Sequence, residues 1–310
     1  MENKLSKNQK SRNYIINLQK NRSIVALIAS IISLCCAIYG INYSIIGYVK
    51  EEQKIIDLFQ YFTIDANLIA AFASAMIIPY AIDGIRKKRF YCPKWAVLFY
   101  YCGTVWTTLI LIFSVFVIRT FDSELAFRGS SLYLHLICPT MILISFMLIE
   151  SYYKLVKKDV LYSISPIFIY ALIYVYKVII IGADKGGWED IYYFTIFAPA
   201  PVSFCAMMLM SLLIAIGIRF LYNKISNYRI KKLVDNLWDE DVSPIEIKIE
   251  VFGLGRYMGK RENKSYVTLP LDIIMIIANK YHIKNEELIA VFTKGVLDVI
   301  LEQKDSLLLK

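Results

Sequence analysis

Histidine is the scarcest reactive residue in this chain, with two among 310 residues, His135 and His282. Proline and glycine are also sparse, with 8 and 13 residues, and this scarcity of turn signals favours long uninterrupted elements. None of the six cysteines has a metal-ligand spacing, and five lie in apolar runs. They are therefore expected to be free thiols that pack as small hydrophobic side chains. No metal and no cofactor is expected.

The chain lacks the charge distribution of a nucleic-acid-binding protein. Its net charge is +9, and residues 1–224 carry all of this excess, with 22 Lys and Arg against 13 Asp and Glu. Residues 225–310 have 13 of each sign. The chain is 57% hydrophobic with a mean hydropathy of +0.51. This combination is typical of a multi-pass membrane protein whose basic loops set its orientation, and no nucleic-acid partner is expected.

Six apolar runs are long enough to cross a bilayer, which requires about 20 residues. They cover roughly residues 23–49, 59–82, 95–118, 131–149, 160–182 and 191–222. Because a polar, basic segment precedes the first run, a cleaved signal peptide is not expected. The predicted domains are a basic N-terminus (1–22), a six-helix transmembrane domain (23–222) and a C-terminal domain (223–310).

Lysine and arginine are distributed unevenly among the loops between these runs. The N-terminal segment and the second and fourth loops carry 6, 5 and 3, whereas the other three loops carry 2, 2 and 1. Basic residues concentrate on the cytoplasmic side of a membrane protein. Both termini are therefore expected in the cytoplasm of a protein of the cell membrane.

The tail has the composition of a soluble domain. Apolar and charged residues alternate over 245–251, which predicts a strand, and residues 266–269 form a second candidate strand. Pro270 is expected to start a helix reaching about Tyr281. Asn285 is expected to cap a last helix, from Glu286 to about Gln303. The predicted fold class is thus an all-α six-helix transmembrane bundle with a small α+β cytoplasmic domain.

The run of strand, helix and helix from Ser265 to Leu301 resembles ribbon-helix-helix modules. That resemblance implies an obligate dimer that often binds DNA. Because the tail has no net charge, dimerisation or binding of another partner is favoured over DNA binding. A homodimer through the C-terminal domain is the expected arrangement.

Five polar residues within the apolar runs form a candidate site: Thr63, Asp65, Asn67, His135 and Lys177. Thr63, His135 and Lys177 each lie six or seven residues from a charge in an outer loop. At about 1.5 Å per residue, all three lie roughly 9–10 Å below the outer boundary. The five residues are therefore expected to share one polar layer in the outer half of the bundle, where polar groups usually have a function or a partner.

This layer has the groups needed for nucleophilic catalysis. A threonine hydroxyl attacks only when a base takes its proton, and a neutral histidine can do so. Thr63 is the candidate nucleophile and His135 the candidate base, with Asn67 or a backbone N–H steadying an oxyanion. Asp65 and Lys177 are expected to form a structural polar pair beside this pocket, either meeting or sharing a polar cavity, because unpaired charges are costly in a bilayer.

Each residue also has a plainer interpretation. Thr63 and His135 could be packing or interhelical hydrogen-bonding residues, and Lys177 could extend to the headgroups. The alternative function is a non-catalytic membrane transporter or ligand sensor with a dimerising tail. Tyrosines near span ends are expected to be interfacial anchors: Tyr101, Tyr133, Tyr192 and Tyr193.

Prolines modify the same half of the bundle. Pro139 has no N–H to bond the carbonyl four residues back, so His135 is expected to have a spare acceptor. Pro199 and Pro201 are expected to disturb the outer half of the sixth span.

Several short motifs resemble the androgen-induced membrane hydrolase family and its bacterial six-span relatives. They are Phe62-Thr63, Leu134-His135 with Pro139, Leu148-Ile149-Glu150, and Gly186-Gly187-Trp188 leading to Tyr192-Tyr193-Phe194. The resemblance covers roughly residues 23–222. It implies a membrane hydrolase that cleaves fatty-acid esters of hydroxy fatty acids, with Thr63 as nucleophile and His135 as base. Membrane lipids and a lipidic small-molecule substrate are the expected partners.

Overall fold

The structure is a computed structural model. It describes residues 2–52, 54–87, 92–121, 126–149, 154–192, 194–195, 198–237, 244–245, 247–248, 251–252, 274, 277–278 and 282–308. The helices longer than ten residues in this part are α1 (Glu2–Lys50), α2 (Phe62–Lys87), α3 (Lys94–Phe113), α4 (Cys138–Leu148), α5 (Lys157–Val175), α6 (Ala200–Leu237) and α7 (Asn285–Leu308).

Short helical segments extend or connect these helices. Three are π-helical turns: Ser114–Ile118 after α3, Tyr133–Ile137 before α4, and Tyr176–Ile181 after α5. The others are Ile55–Gln60, Arg119–Phe121, Ser130–Leu132 and Ala183–Lys185.

Within the described residues, six helical stretches are long and apolar enough to cross a membrane. They are Asn21–Lys50, Phe62–Arg86, Lys94–Ile118, Ser130–Leu148, Lys157–Ile181 and Ala200–Tyr228. The chain is therefore a multi-pass membrane protein, as its apolar runs predict. The first five stretches begin and end within three residues of the predicted spans, except at the end of the second, which continues to Arg86, four residues beyond the predicted end.

The sixth span begins later than predicted, at Ala200 instead of Ile191. Pro199 and Pro201 do not disturb this helix but start it. The N–H groups of Val202 and Ser203 both donate to the Pro199 carbonyl, at 2.8 and 3.2 Å. N–H groups in the first turn of a helix have no partner within the helix, so a proline at this position loses no hydrogen bond. The described residues just before Ala200, 194–195 and 198–199, consequently belong to a loop.

The chain divides into a membrane unit, Ile16–Lys224, and a second unit made of Met1–Ile15 and Ile225–Lys310. The core of the membrane unit lies where α3 packs between α2 and α4. Tyr100, Tyr101 and Phe146 are fully buried there. A 2.9 Å hydrogen bond between the hydroxyls of Ser30 and Ser145 joins α1 to α4.

A close approach fixes α1 against the turn that precedes α4. A Cβ added at Gly40 would lie 2.5 Å from the Leu134 side chain. Glycine is therefore the residue that allows Leu134 to pack directly on the α1 backbone, as small residues do between membrane helices. This contact fixes the position of the neighbouring His135.

The predicted strand at residues 245–251 is wrong, because the described residues of this segment are helical. Ile247 and Val251 are buried at 0% and 1% exposure, whereas Ile245 is 69% exposed. Buried positions four residues apart form one face of a helix. A sequence with apolar residues at every second position also has apolar residues four apart, so it is compatible with a strand or with one face of a helix. The burial of Ile247 and Val251 and the exposure of Ile245 fit the helix. The described part of the tail contains no strand, so the α+β assignment is not supported.

The predicted last helix is present as α7; it begins at Asn285, the predicted cap, one residue before the predicted start, and continues past Gln303 to Leu308. Its buried positions, Leu288, Phe292 and Val296, are again four apart. The second candidate strand, residues 266–269, lies outside the described residues. In the predicted helix after Pro270, the described residues 274, 277 and 278 are helical. Dimerisation through this domain stays a prediction.

Candidate functional site

The structure brings Thr63 and His135 into contact. Thr63 lies in the first turn of α2, and His135 lies in the middle of the π-helical turn before α4. The distance from Thr63 Oγ1 to His135 Nε2 is 3.4 Å. This is at the long end for a hydrogen bond, which is common for catalytic pairs in empty sites. The depth estimate from the sequence thus placed these two side chains correctly relative to each other.

The second ring nitrogen of His135 fixes its tautomer. Nδ1 lies 2.9 Å from the carbonyl oxygen of Ala126. Because a carbonyl only accepts, Nδ1 must carry the proton and donate to it. In the neutral ring, Nε2 then has the free lone pair and accepts from the Thr63 hydroxyl. His135 is 8% exposed, and this buried arrangement prepares it to act as a base toward Thr63.

The π-helical turn frees a different carbonyl from the one predicted. The Cys138 N–H bonds the Tyr133 carbonyl, five residues back. In that register the N–H of residue 139 would bond Leu134, and Pro139 has no N–H. The spare acceptor is therefore the carbonyl of Leu134, not that of His135. Asn67 Nδ2 donates to this carbonyl at 3.1 Å.

Asn67 has a different role from the predicted oxyanion donor. Through its second N–H, Nδ2 donates a hydrogen bond to the Thr63 carbonyl at 2.8 Å. Two carbonyls therefore occupy both donors of this fully buried side chain, and no N–H of the amide remains for an oxyanion. Asn67 instead ties the turn that carries His135 to the turn that carries Thr63, which makes it a positioning residue.

A tyrosine from the loop before α6 completes the site. The Tyr192 hydroxyl lies beside the hydroxyls of Thr63 and Tyr170 and the N–H groups of Phe62 and Thr63. Its oxygen is buried and makes no hydrogen bond of normal geometry. Burial raises the pKa of Tyr192 to about 12, although the neighbouring donors favour the ionised form. The hydroxyl is therefore protonated at neutral pH.

Sequence reasoning missed this residue because tyrosines near span ends resemble interfacial anchors. The available signal was the position of Tyr192 just after Gly186-Gly187-Trp188, in a loop whose glycines indicate a tight turn. The same loop takes a form that only glycine permits at residue 187, where an added Cβ would lie 2.1 Å from the Lys177 carbonyl oxygen.

Asp190 holds the loop segment around Tyr192. Its carboxylate accepts from the N–H groups of Phe194 and Thr195, both at 2.8 Å, and from the hydroxyls of Thr195 and Tyr174. The Tyr174 hydroxyl in turn accepts from the Tyr192 N–H at 3.2 Å. Partial burial raises the pKa of Asp190, but the hydrogen bonds from Thr195, Phe194 and Tyr174 outweigh it and hold the pKa below its ordinary value. The carboxylate is therefore charged at neutral pH, the form that accepts these bonds.

Thr63 and Tyr192 both line a cavity of about 280 Å³. The other lining side chains come mainly from α3, α5 and α6 and are largely apolar; they include Leu109, Ile110, Phe113, Ile167, Met207 and Met210. A pocket with apolar walls and a few polar groups at one point suits a small apolar ligand with one reactive polar function. His135 is not among the residues that line this cavity and contacts Thr63 through Nε2.

The predicted pair of Asp65 and Lys177 does not form. Both side chains are described and half-buried, yet neither takes part in any salt bridge or side-chain hydrogen bond within the described residues. At Lys177 the contacts that the structure shows are those of the backbone. Its carbonyl accepts from the N–H groups of Gly182 and Trp188, both at 3.2 Å. This carbonyl anchors the tight loop that leads to Tyr192, a role that the sequence pattern did not indicate.

Comparisons with known protein families, with curated proteins and with solved structures find no match to this chain. The resemblance to the androgen-induced membrane hydrolases therefore stays a prediction, and the function is argued from the site itself.

Proposed function

We propose that this protein is an integral membrane hydrolase that cleaves a lipidic ester, with Thr63 as nucleophile and His135 as general base. The observation that carries the proposal is the chain of contacts from the Thr63 hydroxyl through His135 to the Ala126 carbonyl. Its reactive end faces an apolar cavity. A nucleophile, a base and a group that orients the base are the elements of activated hydroxyl catalysis.

The first half-reaction forms an acyl-threonine. Thr63 Oγ1 attacks the ester carbonyl carbon as its proton moves to His135 Nε2, and the carbonyl π electrons pass to the carbonyl oxygen. When this tetrahedral intermediate collapses, the bond from carbon to the leaving oxygen breaks. His135 returns its proton to that oxygen, so an alcohol departs.

The second half-reaction regenerates the threonine. His135 takes a proton from a water that attacks the acyl carbon, and the carboxylic acid leaves as Thr63 Oγ1 recovers a proton. Because the Ala126 carbonyl accepts from Nδ1 throughout, the ring keeps one orientation in both half-reactions. The apolar walls formed by α3, α5 and α6 would hold the alkyl part of the acyl group.

A fluorophosphonate probe with an alkyl chain tests the nucleophile. Attack by Thr63 Oγ1 on phosphorus releases fluoride and leaves a stable adduct. Purified protein in detergent is expected to be labelled on the peptide that contains Thr63, as mapped by mass spectrometry, and Thr63→Ala is expected to lose the label. Thr120→Ala is the matched control, because Thr120 is exposed and its hydroxyl only bonds back to the Phe116 carbonyl.

Two results would contradict the proposal. One is a label that persists in Thr63→Ala. The other is a well-folded wild type that neither takes the label nor hydrolyses medium-chain fatty-acid esters, yet is stabilised by an alkyl ligand. The second outcome would favour the alternative, a non-catalytic transporter or ligand-sensing membrane protein.

The proposed orientation places both termini in the cytoplasm of the cell membrane. It is supported by the 6, 5 and 3 basic residues of the N-terminal segment and the second and fourth loops. The catalytic end of the bundle then faces the outer leaflet, from which a lipidic substrate would enter. A reporter fused after Lys310 is expected to be active only inside the cell, and activity outside would reverse the orientation.

A further inference from the structure

A hydrolase of this kind needs a donor for the oxygen that becomes negative when Thr63 attacks. Each Asn67 donor already bonds a carbonyl, as the site geometry shows. The remaining donors near Thr63 Oγ1 are therefore decisive for the mechanism, because aligned donors at a developing oxyanion are usually the largest single source of rate enhancement.

The first turn of α2 offers backbone donors. The N–H groups at the start of a helix have no partner within it, and the helix dipole adds positive potential there. The N–H groups of Ile64 and Asp65 bond the Tyr61 carbonyl, at 2.9 and 3.3 Å. Those of Phe62 and Thr63 instead lie beside the Tyr192 oxygen.

This arrangement sets the direction of the Tyr192 proton. With two N–H groups beside its oxygen, the lone pairs of that oxygen face the helix terminus. The O–H bond then points away from the terminus, and Thr63 and Tyr192 both line the neighbouring cavity. The Tyr170 hydroxyl, which donates to the Gln60 carbonyl at 2.5 Å, also lies beside the Tyr192 oxygen, but no hydrogen bond of normal geometry joins them. An unpartnered buried hydroxyl is uncommon in a folded protein, and here it lies next to the attacking atom.

We propose that Tyr192 is a catalytic residue that donates its hydroxyl proton in a hydrogen bond to the oxyanion formed on the substrate carbonyl. This inference rests on the proposed hydrolase function. The oxyanion would lie on the side of the Tyr192 hydroxyl that faces away from the N-terminus of α2, with the alkyl chain along Leu109, Phe113 and Met210. Tyr192 replaces Asn67 as the side chain that stabilises the tetrahedral intermediate.

The position of Tyr192 is fixed before substrate arrives. Its ring packs on Tyr174 and Phe113, with centroids 5.5 and 5.9 Å apart. Its N–H is held by the Tyr174 hydroxyl, which Asp190 orients. A donor held in this way needs no reorganisation during the reaction, which is the condition for effective oxyanion stabilisation.

The test is Tyr192→Phe, which removes the hydroxyl and keeps the ring. We expect kcat for hydrolysis of a medium-chain p-nitrophenyl ester to fall by about 10²–10³-fold with KM little changed. Affinity for an alkyl trifluoromethyl ketone, which forms a tetrahedral adduct with Thr63, should fall by a similar factor. Thermal stability should not fall, because the lost hydroxyl has no partner in the folded protein. Tyr43→Phe, at an exposed position on α1, is the matched control.

The outcomes separate the two proposals. If the wild type hydrolyses the ester and Tyr192→Phe keeps its kcat, the oxyanion role of Tyr192 is overturned and the hydrolase function stands. If kcat falls together with a loss of thermal stability, Tyr192 is a structural residue and the inference is again overturned. If the wild type has no hydrolytic activity and forms no ketone adduct, both proposals fail.

Discussion

Replacing His135 with asparagine is expected to lower kcat for ester hydrolysis by about 10²–10⁴-fold, the usual contribution of a general base. Asparagine keeps a polar side chain at this position but cannot take the Thr63 proton. Because the ring contacts Thr63 through Nε2 and Ala126 through Nδ1, the substitution removes the base and its orienting contact together. The measurement is steady-state hydrolysis by detergent-purified protein.

The chain contains its own control for this experiment. His282, the other histidine, is exposed and has a positive φ of 54°, a conformation that asparagine tolerates well. His282→Asn is therefore expected to keep both fold and activity. Unchanged kcat in a well-folded His135→Asn protein would remove His135 from the mechanism and leave it as an interhelical hydrogen-bonding residue.

Gly187→Ala is expected to have the largest structural effect of a single small substitution. The added Cβ would lie 2.1 Å from the Lys177 carbonyl oxygen, and 2.7 and 2.9 Å from the Gly182 oxygen and nitrogen. All three are backbone atoms, so no flexible side chain can move aside. The loop must open and lose the Trp188 N–H bond to Lys177. Overpacking and a lost hydrogen bond of this kind cost about 1–3 kcal/mol.

The same change is expected to reduce hydrolysis, because the displaced loop carries Tyr192 away from Thr63. Both effects can be followed in one preparation, by thermal unfolding in detergent and by kcat. Gly217→Ala, in α6, is the matched control, since nothing lies within 4 Å of its Cβ position; it should be neutral or slightly stabilising. Equal melting temperatures for the two variants would show that the loop adapts freely and would contradict this account.

The site shows where sequence reasoning worked and where it could not. Thr63 and His135 were paired because both lie six or seven residues from an outer-loop charge in spans that enter the membrane from the same side. Helix rise converts that spacing into depth, so residues on different helices can be matched without coordinates. Depth contains no information on rotation about the helix axis, and no salt bridge joins Asp65 to Lys177 within the described residues.

The six spans and their order along the chain are predictable from the sequence alone, because the length of an apolar run is a local property of the chain. The rise per residue of a helix adds the pairing of Thr63 with His135.

The contacts of Asn67, Tyr192 and Lys177 could be found only from the tertiary structure. Asn67 became a positioning residue because a π-helical turn shifts the spare carbonyl to Leu134. Tyr192 reached Thr63 because α6 begins at Ala200 and leaves the preceding residues in a loop folded against the Lys177 carbonyl. These arrangements depend on contacts between residues far apart in the chain. Such contacts cannot be predicted from the period of an apolar pattern.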